Sequence, residues 1–215
     1  NNDSILSFAR FSCCGATIRR PPCLDLISSG WEERPGKARP PKRRYRWRCE
    51  LLLCGSDIDL PAYVPGATSN TKANRVTAEL GRADGIILGT PGYHGGLSGL
   101  VKNALDYTED LRNNKRPYLE DRPIGCVVTA AGEQGAVTTL AALRSVVHAL
   151  RGWPTPLGVT IVTSDQVFDA AGNCISPRIE TQLRILSQQV VDFARQRAKA
   201  DSESSVGAKR GIAFG

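Results

Sequence analysis

"GIILGTPGYHGGLSGLVKNALDY", residues 85–107, joins a short apolar run to a segment with helical spacing through a turn rich in glycine. The apolar run at 85–89 has the length and composition of a buried strand. Apolar residues between 97 and 105 recur every three or four positions, which predicts a helix over 98–111. A turn this rich in glycine loses much backbone freedom on folding, so we expect its backbone to approach a flat or charged ligand closely.

The same strand-then-helix unit recurs along the rest of the chain. Further buried strands are predicted at 50–53, 124–130 and 157–163, and further helices at 71–82, 136–151 and 177–198. Strands that are apolar throughout and alternate with helices indicate a parallel sheet covered on both faces. With a first strand at 5–11, the sequence predicts an α/β protein with a doubly wound, parallel, five-stranded sheet in three layers.

The composition indicates one domain, predicted over 1–198 and followed by a flexible tail at 199–215. The 215 residues are 41% hydrophobic and 23% charged, and they contain neither an apolar run long enough for a membrane span nor a secretory signal. Seven cysteines without regular spacing favour reduced thiols over a disulfide framework, and hence a cytoplasmic location. The chain has no methionine, so we expect its natural start to be missing.

The net charge of +7 comes almost entirely from the first 50 residues. They hold 11 of the 28 Lys and Arg and 5 of the 21 Asp and Glu, a net charge of +6, and the other 165 residues carry +1. The sequence therefore does not indicate that the whole protein surface is basic. The segment "KARPPKRRYRWR" (37–48) does place Tyr45 and Trp47 among basic residues, which leaves nucleic-acid binding through phosphate contacts and stacking as an alternative.

Two glycine-containing loops follow neighbouring strands of the predicted sheet. One is the turn at 89–96, and the other is "AAGEQGA" (130–136). Both follow the carboxyl ends of their strands, where ligands bind in doubly wound sheets, so we expect them to form one site. The loops match neither the P-loop nor the dinucleotide fingerprint, and they carry no metal-ligand cluster. A serine hydrolase at Ser98 is disfavoured, because His94 is too near in sequence to act as its base and His148 lies mid-helix.

The stretch "TPGYHGGLSGLVKNALDY" (90–107) resembles the second flavin-binding loop of the NADPH-dependent FMN reductase family, T-P-x-Y-N-x-x-x-x-G-x-x-K-N-x-x-D. The matching residues are Thr90, Pro91, Tyr93, Gly99, Lys102, Asn103 and Asp106. The stretch "TAAGEQGAVTTLAALRSVVHALRG" (129–152) resembles the third loop of that family and the helix after it. The likeness covers about 50–198, and it departs from the family at His94, where Asn is frequent.

The resemblance implies a flavodoxin-like fold with the strand order 2-1-3-4-5 and FMN as the cofactor. It implies an FMN-dependent NAD(P)H oxidoreductase that passes electrons to flavin, a quinone or a similar acceptor. It also implies a homodimer or homotetramer. No catalytic side chain is needed, because hydride passes directly between the nicotinamide and the flavin. The alternative within redox chemistry is a flavodoxin-like electron carrier without nicotinamide turnover.

The resemblance also implies which residues bind the flavin. Backbone groups of both loops would meet the ring, Tyr93 would form an apolar wall, and Lys102, Asn103 and Asp106 are more simply a helix face. The expected cofactor-binding residues are Thr90, Pro91, Gly92, Tyr93, His94, Gly95, Gly96, Ala131, Gly132, Glu133 and Gly135. In the N-terminal part, "GATIR" (15–19) resembles the start of the family's phosphate loop, so Gly15, Thr17 and Arg19 are expected to bind the 5′-phosphate.

The segment at about 20–49 does not fit this plan. An amphipathic helix should follow the phosphate loop, yet the segment contains five prolines and no helical apolar period. The distance from Gly15 to Leu53 is nevertheless right for a loop, a helix and a strand. We therefore hypothesise that 20–49 is translated out of frame, which an intact nucleotide reading frame through this segment would refute.

Overall fold

The computed structural model describes residues 16–18, 51–67, 70–169 and 172–210, with only the backbone described for 16–18 and 202–210. The strands are β1 (Ala16–Ile18), β2 (Leu51–Leu52), β3 (Ile86–Tyr93), β4 (Gly96–Leu97), β5 (Pro123–Ala130), β6 (Trp153–Pro154) and β7 (Val159–Val162). The α-helices are α1 (Thr71–Arg82), α2 (Gly99–Asp106), α3 (Glu133–Ala149) and α4 (Pro177–Arg210). Short 3₁₀ helices lie at Gly55–Asp57 and Tyr107–Leu111.

The strands form one mostly parallel sheet in the order β2-β1-β3-β5-β6. β3 and β5 are its parallel centre, with Ile86 opposite Ile124 and Pro91 opposite Thr129. β3 pairs with one side of β5. β6 and β7 both pair in parallel with the other side of β5. The sheet is therefore five strands wide, and its order agrees with the flavodoxin-like order expected from the sequence.

The direction of β1 differs from the prediction. β1 pairs antiparallel with β2 and with β3, where Ala16 lies opposite Leu88 and Thr17 opposite Ile87. A parallel neighbour would need a crossover connection of a dozen or more residues, usually a helix, and the proline-rich sequence between β1 and β2 is unsuited to one. The first strand predicted at 5–11 and the anomalous segment at 20–49 lie outside the described residues.

Helices cover both faces of the sheet. On one face, α1, α2 and α3 pack against alternate residues of β3 and β5 in a core that includes Leu88, Ile124 and Leu143. On the other face, α4 packs through Ile179 and Leu186 against β5 and β7. Alternation of buried side chains between the two faces explains why these strands are apolar throughout.

The helices begin within three residues of where the sequence predicts, whereas two of their ends differ by five residues or more. α1 begins after Asn70, whose side-chain oxygen accepts hydrogen bonds from the backbone N–H groups of Lys72 and Ala73 at 3.0 and 3.1 Å. α4 continues to Arg210, beyond the end predicted at 198, so the backbone of most of the predicted tail is helical. Across the described residues, no helix is long and apolar enough to cross a membrane.

Arg122 joins the end of α1 to the start of β5. Its guanidinium is fully buried and donates to the backbone oxygens of Ala83 at 2.9 Å, Tyr118 at 3.1 Å and Gly81. Burial, followed by repulsion from Arg116, lowers the pKa of Arg122 to about 10, so the group is charged at neutral pH. The charge is held by carbonyl groups, which include the last carbonyls of the helix.

Candidate cofactor site

The glycine-rich turn after β3 is a β-hairpin. β3 continues to Tyr93, and the chain turns back so that Gly92 pairs with Leu97 and Tyr93 with Gly96. The two turn residues, His94 and Gly95, have φ angles of 52° and 80°. Two positive φ angles identify the two-residue turn that matches the twist of a hairpin. The sequence predicted the turn but missed the strand pairing, because the strand continues through residues that rarely form strands.

The buried side chains of Thr90 and Ser98 form hydrogen bonds at the base of the hairpin. The Thr90 hydroxyl is buried, accepts a hydrogen bond from the Ser98 N–H at 3.1 Å and donates to the Pro91 oxygen at 3.0 Å. The buried Ser98 hydroxyl accepts from the Val101 N–H at 3.2 Å and caps α2. Both hydroxyls therefore stabilise the hairpin and the helix behind it, and Ser98 has the position of a cap rather than of a nucleophile.

Gly92 packs against α3. A Cβ added to Gly92 would lie 2.7 Å from the Thr139 Oγ1, 3.3 Å from the Ala130 Cβ and 3.3 Å from the Gly135 oxygen. The Thr139 hydroxyl also donates to the Gly96 oxygen at 3.4 Å. These contacts show that Gly92 allows close approach of a helix, and its predicted contact with a ligand stays a prediction. The hairpin and the start of α3 therefore form one packed unit.

The N-terminus of α3 lies open beside this hairpin. Residues 131–134 are exposed, and Gly132 caps the helix without any side-chain hydrogen bond. A Cβ added to Gly132 would meet nothing within 4 Å. The first N–H groups of a helix have no partner inside the helix and carry a partial positive charge. This end of α3 can therefore accept the polar edge of a ligand without displacing any side chain.

Both loops lie at the carboxyl edge, defined here as the edge of the sheet at which β3, β5 and β7 end. Pro91 of β3 lies opposite Thr129 of β5, so the two chains leave the sheet side by side. Tyr93 is 58% exposed and Val137, on the second turn of α3, is 60% exposed. An exposed aromatic side chain on the hairpin and an exposed aliphatic side chain on α3 therefore lie on the two elements that meet at this edge. The expectation that the two loops share one edge is confirmed.

Other residues of the sequence motif contact the protein itself. The Asn103 side chain accepts a hydrogen bond from the Tyr63 N–H at 2.8 Å and donates to the oxygens of Leu60 and Pro61 at 3.1 and 2.9 Å. Asn103 thus fixes the loop before α1 against α2, a role that sequence spacing could not indicate because the partners lie about 40 residues away. Lys102 pairs with Asp106 at 2.5 Å on the exposed face of α2.

The centre of the expected phosphate loop is a β-strand. Thr17 lies within β1, paired on one side with Leu52 and on the other with Ile87. Gly15 and Arg19, which precede and follow this strand, lie outside the described residues. Within the described part of the chain, no group of three or more His, Cys, Asp or Glu side chains is arranged to hold a metal ion.

The sequence model of the NADPH-dependent FMN reductase family matches residues 47–166. An FMN-dependent NADPH-azoreductase from Staphylococcus aureus (strain USA300) is 34% identical to the chain over 116 residues, which cover 52% of this chain and 56% of the azoreductase. The chain thus spans about half the length of the curated relatives that it matches.

Two solved structures share the fold. FerB, a flavoenzyme NAD(P)H:(acceptor) oxidoreductase from Paracoccus denitrificans, is similar with a TM-score of 0.52 and 21% identity, over 65% of this chain and 75% of FerB. RosB, solved with bound 8-demethyl-8-formylriboflavin-5′-phosphate, is similar with a TM-score of 0.51 and 12% identity, over 68% of this chain and 62% of RosB. These similarities agree with the flavodoxin-like α/β fold. Because the family model matches more than half of its residues, the chain belongs to the NADPH-dependent FMN reductase family.

Proposed function

We propose that this chain binds the isoalloxazine ring of FMN at the carboxyl edge and transfers electrons from NAD(P)H to a small-molecule acceptor. The observation that carries the proposal is the hairpin at 90–97 packed beside the open N-terminus of α3. This arrangement offers a surface of backbone groups with an exposed aromatic side chain at its margin, which suits a flat ring with polar edges.

The residues present fit the ring of the cofactor. Hairpin residues Pro91–Gly96 would lie along one side of the ring, and Tyr93 would cover part of its face. The N–H groups at the start of α3 would meet the pyrimidine end, where negative charge increases on reduction, and a helix N-terminus stabilises such charge. Gly132 leaves room for that approach, because no protein atom lies within 4 Å of its added Cβ position.

Bound FMN would supply the two-electron chemistry, accepting electrons from the nicotinamide and giving them to the acceptor. The protein would bind and orient the ring and keep one face accessible. The exposure of Tyr93 and Val137 supports an accessible face, because neither side chain is packed into the protein core. Thr90, Gly92 and Thr139 would act indirectly, by fixing the hairpin against α3.

The relatives support this class of reaction and suggest possible acceptors. The Staphylococcus aureus relative is described as an azoreductase and FerB as an acceptor oxidoreductase. Azo compounds, quinones and free flavin are flat and electron-poor, so each is a suitable candidate for this chain. Assembly as a homodimer or homotetramer is a further expectation from the family, which light scattering of the purified protein would test.

The first experiment titrates FMN into the purified chain and then follows NADPH oxidation with a quinone or an azo dye. Flavin binding with sustained NADPH oxidation is expected. Binding with almost no oxidation would favour an electron carrier, and absence of flavin binding would refute the proposal. Salt-dependent binding of oligonucleotides that disappears on deletion of 34–48 would instead favour the nucleic-acid alternative, whose residues lie outside the described part of the chain.

A variant tests the position of the ring. Gly132→Leu places a side chain in the open space beside the hairpin without contacting the protein at its Cβ. A clash of this kind typically costs about 1–3 kcal/mol, so FMN affinity should fall by about 5- to 150-fold. Ala141→Leu, at an exposed position about two turns further along α3, is the matched control and should bind FMN normally. Equal FMN affinity of the two variants would contradict the proposed position.

A further inference from the structure

His94 is an exposed residue at the tip of the hairpin at 90–97. It occupies the first of the two turn positions and has a φ angle of 52°. Asn, Asp and Gly are the residues preferred at this position of a two-residue hairpin turn. The turn therefore does not require an imidazole, and Asn would form it at least as well. Exposed loop residues of this kind are where proteins place groups for binding and catalysis.

The backbone on which His94 lies is packed against α3. The Thr139 hydroxyl donates to the Gly96 oxygen at 3.4 Å, two residues after His94. A Cβ added to Gly95 would lie 3.9 Å from the Thr138 Cγ2, so the turn itself contacts the same helix. A side chain attached to a loop that is held by a rigid element can keep a defined position relative to a ligand.

The acceptors suggested for this chain need a proton as well as a hydride. Transfer between the nicotinamide and the ring is a direct hydride transfer, so it requires no proton from the protein. A quinone or an azo bond that has accepted a hydride carries a negative charge, which a proton must neutralise. Histidine is the side chain that most often donates a proton in such a step.

Other polar side chains of the two loops are less suited to this task. The hydroxyls of Thr90 and Ser98 are buried and hydrogen-bonded inside the protein. Glu133, the first residue of α3, carries a carboxylate, which accepts hydrogen bonds and does not donate them. Tyr93 is 58% exposed and next to His94, so its hydroxyl is the alternative donor that an experiment must exclude.

We propose that His94 is a catalytic residue that donates a proton to the acceptor. The proposal rests on the proposed function, since it concerns the same site. For a quinone, hydride transfer from the reduced ring to one oxygen leaves a negative charge on the other oxygen. The N–H bond of the His94 imidazolium breaks, an O–H bond forms on that oxygen, and the imidazole regains a proton from the solvent. The quinone gains two electrons and the ring loses two, so NADPH, the quinone and one solvent proton balance the reaction.

Chemical modification tests the position of His94 without any turnover. Diethyl pyrocarbonate modifies exposed imidazoles, and the chain has two histidines, both exposed. His148 lies near the end of α3, about 15 Å along the helix from Thr138, and is the internal control. Mass spectrometry measures modification of each histidine with and without FMN and duroquinone, in the absence of NADPH. With both ligands at about ten times their dissociation constants, modification of His94 should slow by about five- to tenfold and that of His148 should not change.

Reoxidation kinetics test the chemical role. The FMN-loaded chain is reduced with one equivalent of NADPH, and its reoxidation by duroquinone or by ferricyanide is followed by stopped-flow absorbance. Ferricyanide accepts only electrons, so it is the reference acceptor that needs no proton. The ratio of the duroquinone rate to the ferricyanide rate should fall by about tenfold or more in His94→Asn and stay within about twofold in His148→Asn. The expected fall is below that of a shielded general acid, because water reaches this exposed turn.

The outcomes separate the proposal from the function on which it rests. An unchanged ratio in His94→Asn, or equal modification of His94 with and without ligands, would overturn the role of His94, while ferricyanide reduction would still support the flavin site. A ratio that falls in Tyr93→Phe and not in His94→Asn would assign the proton to Tyr93 and overturn the proposal as well. Absence of both flavin binding and ferricyanide reduction would refute the proposed function and the proposal together.

Discussion

Substitution of Gly92 by Ala tests the packed unit of hairpin and helix. The new methyl group would lie 2.7 Å from the Thr139 Oγ1, well inside the 3.4–4 Å of ordinary contact, and 3.3 Å from the Ala130 Cβ and the Gly135 oxygen. Thr139 is buried on α3 and β-branched, so its hydroxyl cannot move aside freely. The Gly135 oxygen belongs to the helix backbone. Either the hairpin or the helix must shift.

The expected change in the free energy of unfolding is the sum of two opposing effects. Overpacking of a filled interior typically costs 1–3 kcal/mol, and here one contact is severe while two are tight. Gly→Ala also restricts the unfolded chain, which returns about 0.4–1 kcal/mol where the native backbone suits Ala. Gly92 does not have a positive φ angle, so this gain applies. We expect Gly92→Ala to lower the free energy of unfolding by about 1–2 kcal/mol.

A double-mutant cycle identifies the cause. Thr139→Ala removes the clashing oxygen and costs about 1 kcal/mol on its own through the lost hydrogen bond to Gly96. Because the severe contact is then absent, the double variant should be more stable than the sum of the single effects predicts, by about 1 kcal/mol. Urea unfolding followed by far-UV circular dichroism measures all four proteins. Additive effects within about 0.5 kcal/mol, or a neutral Gly92→Ala, would refute the reasoning.

Three further substitutions test other parts of the structure by urea unfolding. Arg122→Met leaves the carbonyls at the end of α1 without donors and should cost about 3 kcal/mol or more, so a loss below about 1 kcal/mol would contradict the role assigned to Arg122. His94→Val forces a β-branched residue into a left-handed turn and should cost about 1–2 kcal/mol, whereas His94→Asn should be neutral or stabilising. Burial raises the pKa of the Cys126 thiol from its ordinary value of 9.0 to about 12, so stability contributed by the protonated thiol is lost as pH rises above 9. The difference in unfolding free energy between the wild type and Cys126→Ala should therefore shift by about 1.4 kcal/mol against the wild type between about pH 8 and pH 10, and a constant difference would contradict the buried, protonated thiol.

The central strands and helices could be predicted from sequence because one physical signal dominates each. β5 is apolar except for Thr129 and fully buried, and α1 combines a capping Asn70 with apolar residues at helical spacing. The hairpin at 90–97 could not be predicted in the same way. Its pairing depends on the positive φ of His94 and on a hydrogen bond from Ser98 to Thr90, and neither has a periodic sequence signal.

The first strand is a part of the structure that the family resemblance did not predict. The likeness placed a phosphate loop at 15–19, but β1 at 16–18 pairs antiparallel with both neighbours. Strand direction depends on the connection that follows, and 20–49 lacks the apolar period of a crossover helix. The family match begins at residue 47, so it does not extend over this segment. The hypothesis that 20–49 is out of frame remains a prediction that sequencing of the gene would test.

The glycines of the site serve three different physical purposes, although the sequence suggests one. Gly92 allows contact between hairpin and helix, Gly95 takes a positive φ in the turn, and Gly132 borders open space. Of the three, Gly132 alone has no protein atom within 4 Å of its added Cβ position. A glycine-rich motif can therefore indicate a ligand site while several of its glycines also shape the protein around that site. In this chain the ring would then be selected by the spacing between hairpin and helix, so variants that shift α3 should alter flavin binding without touching the flavin.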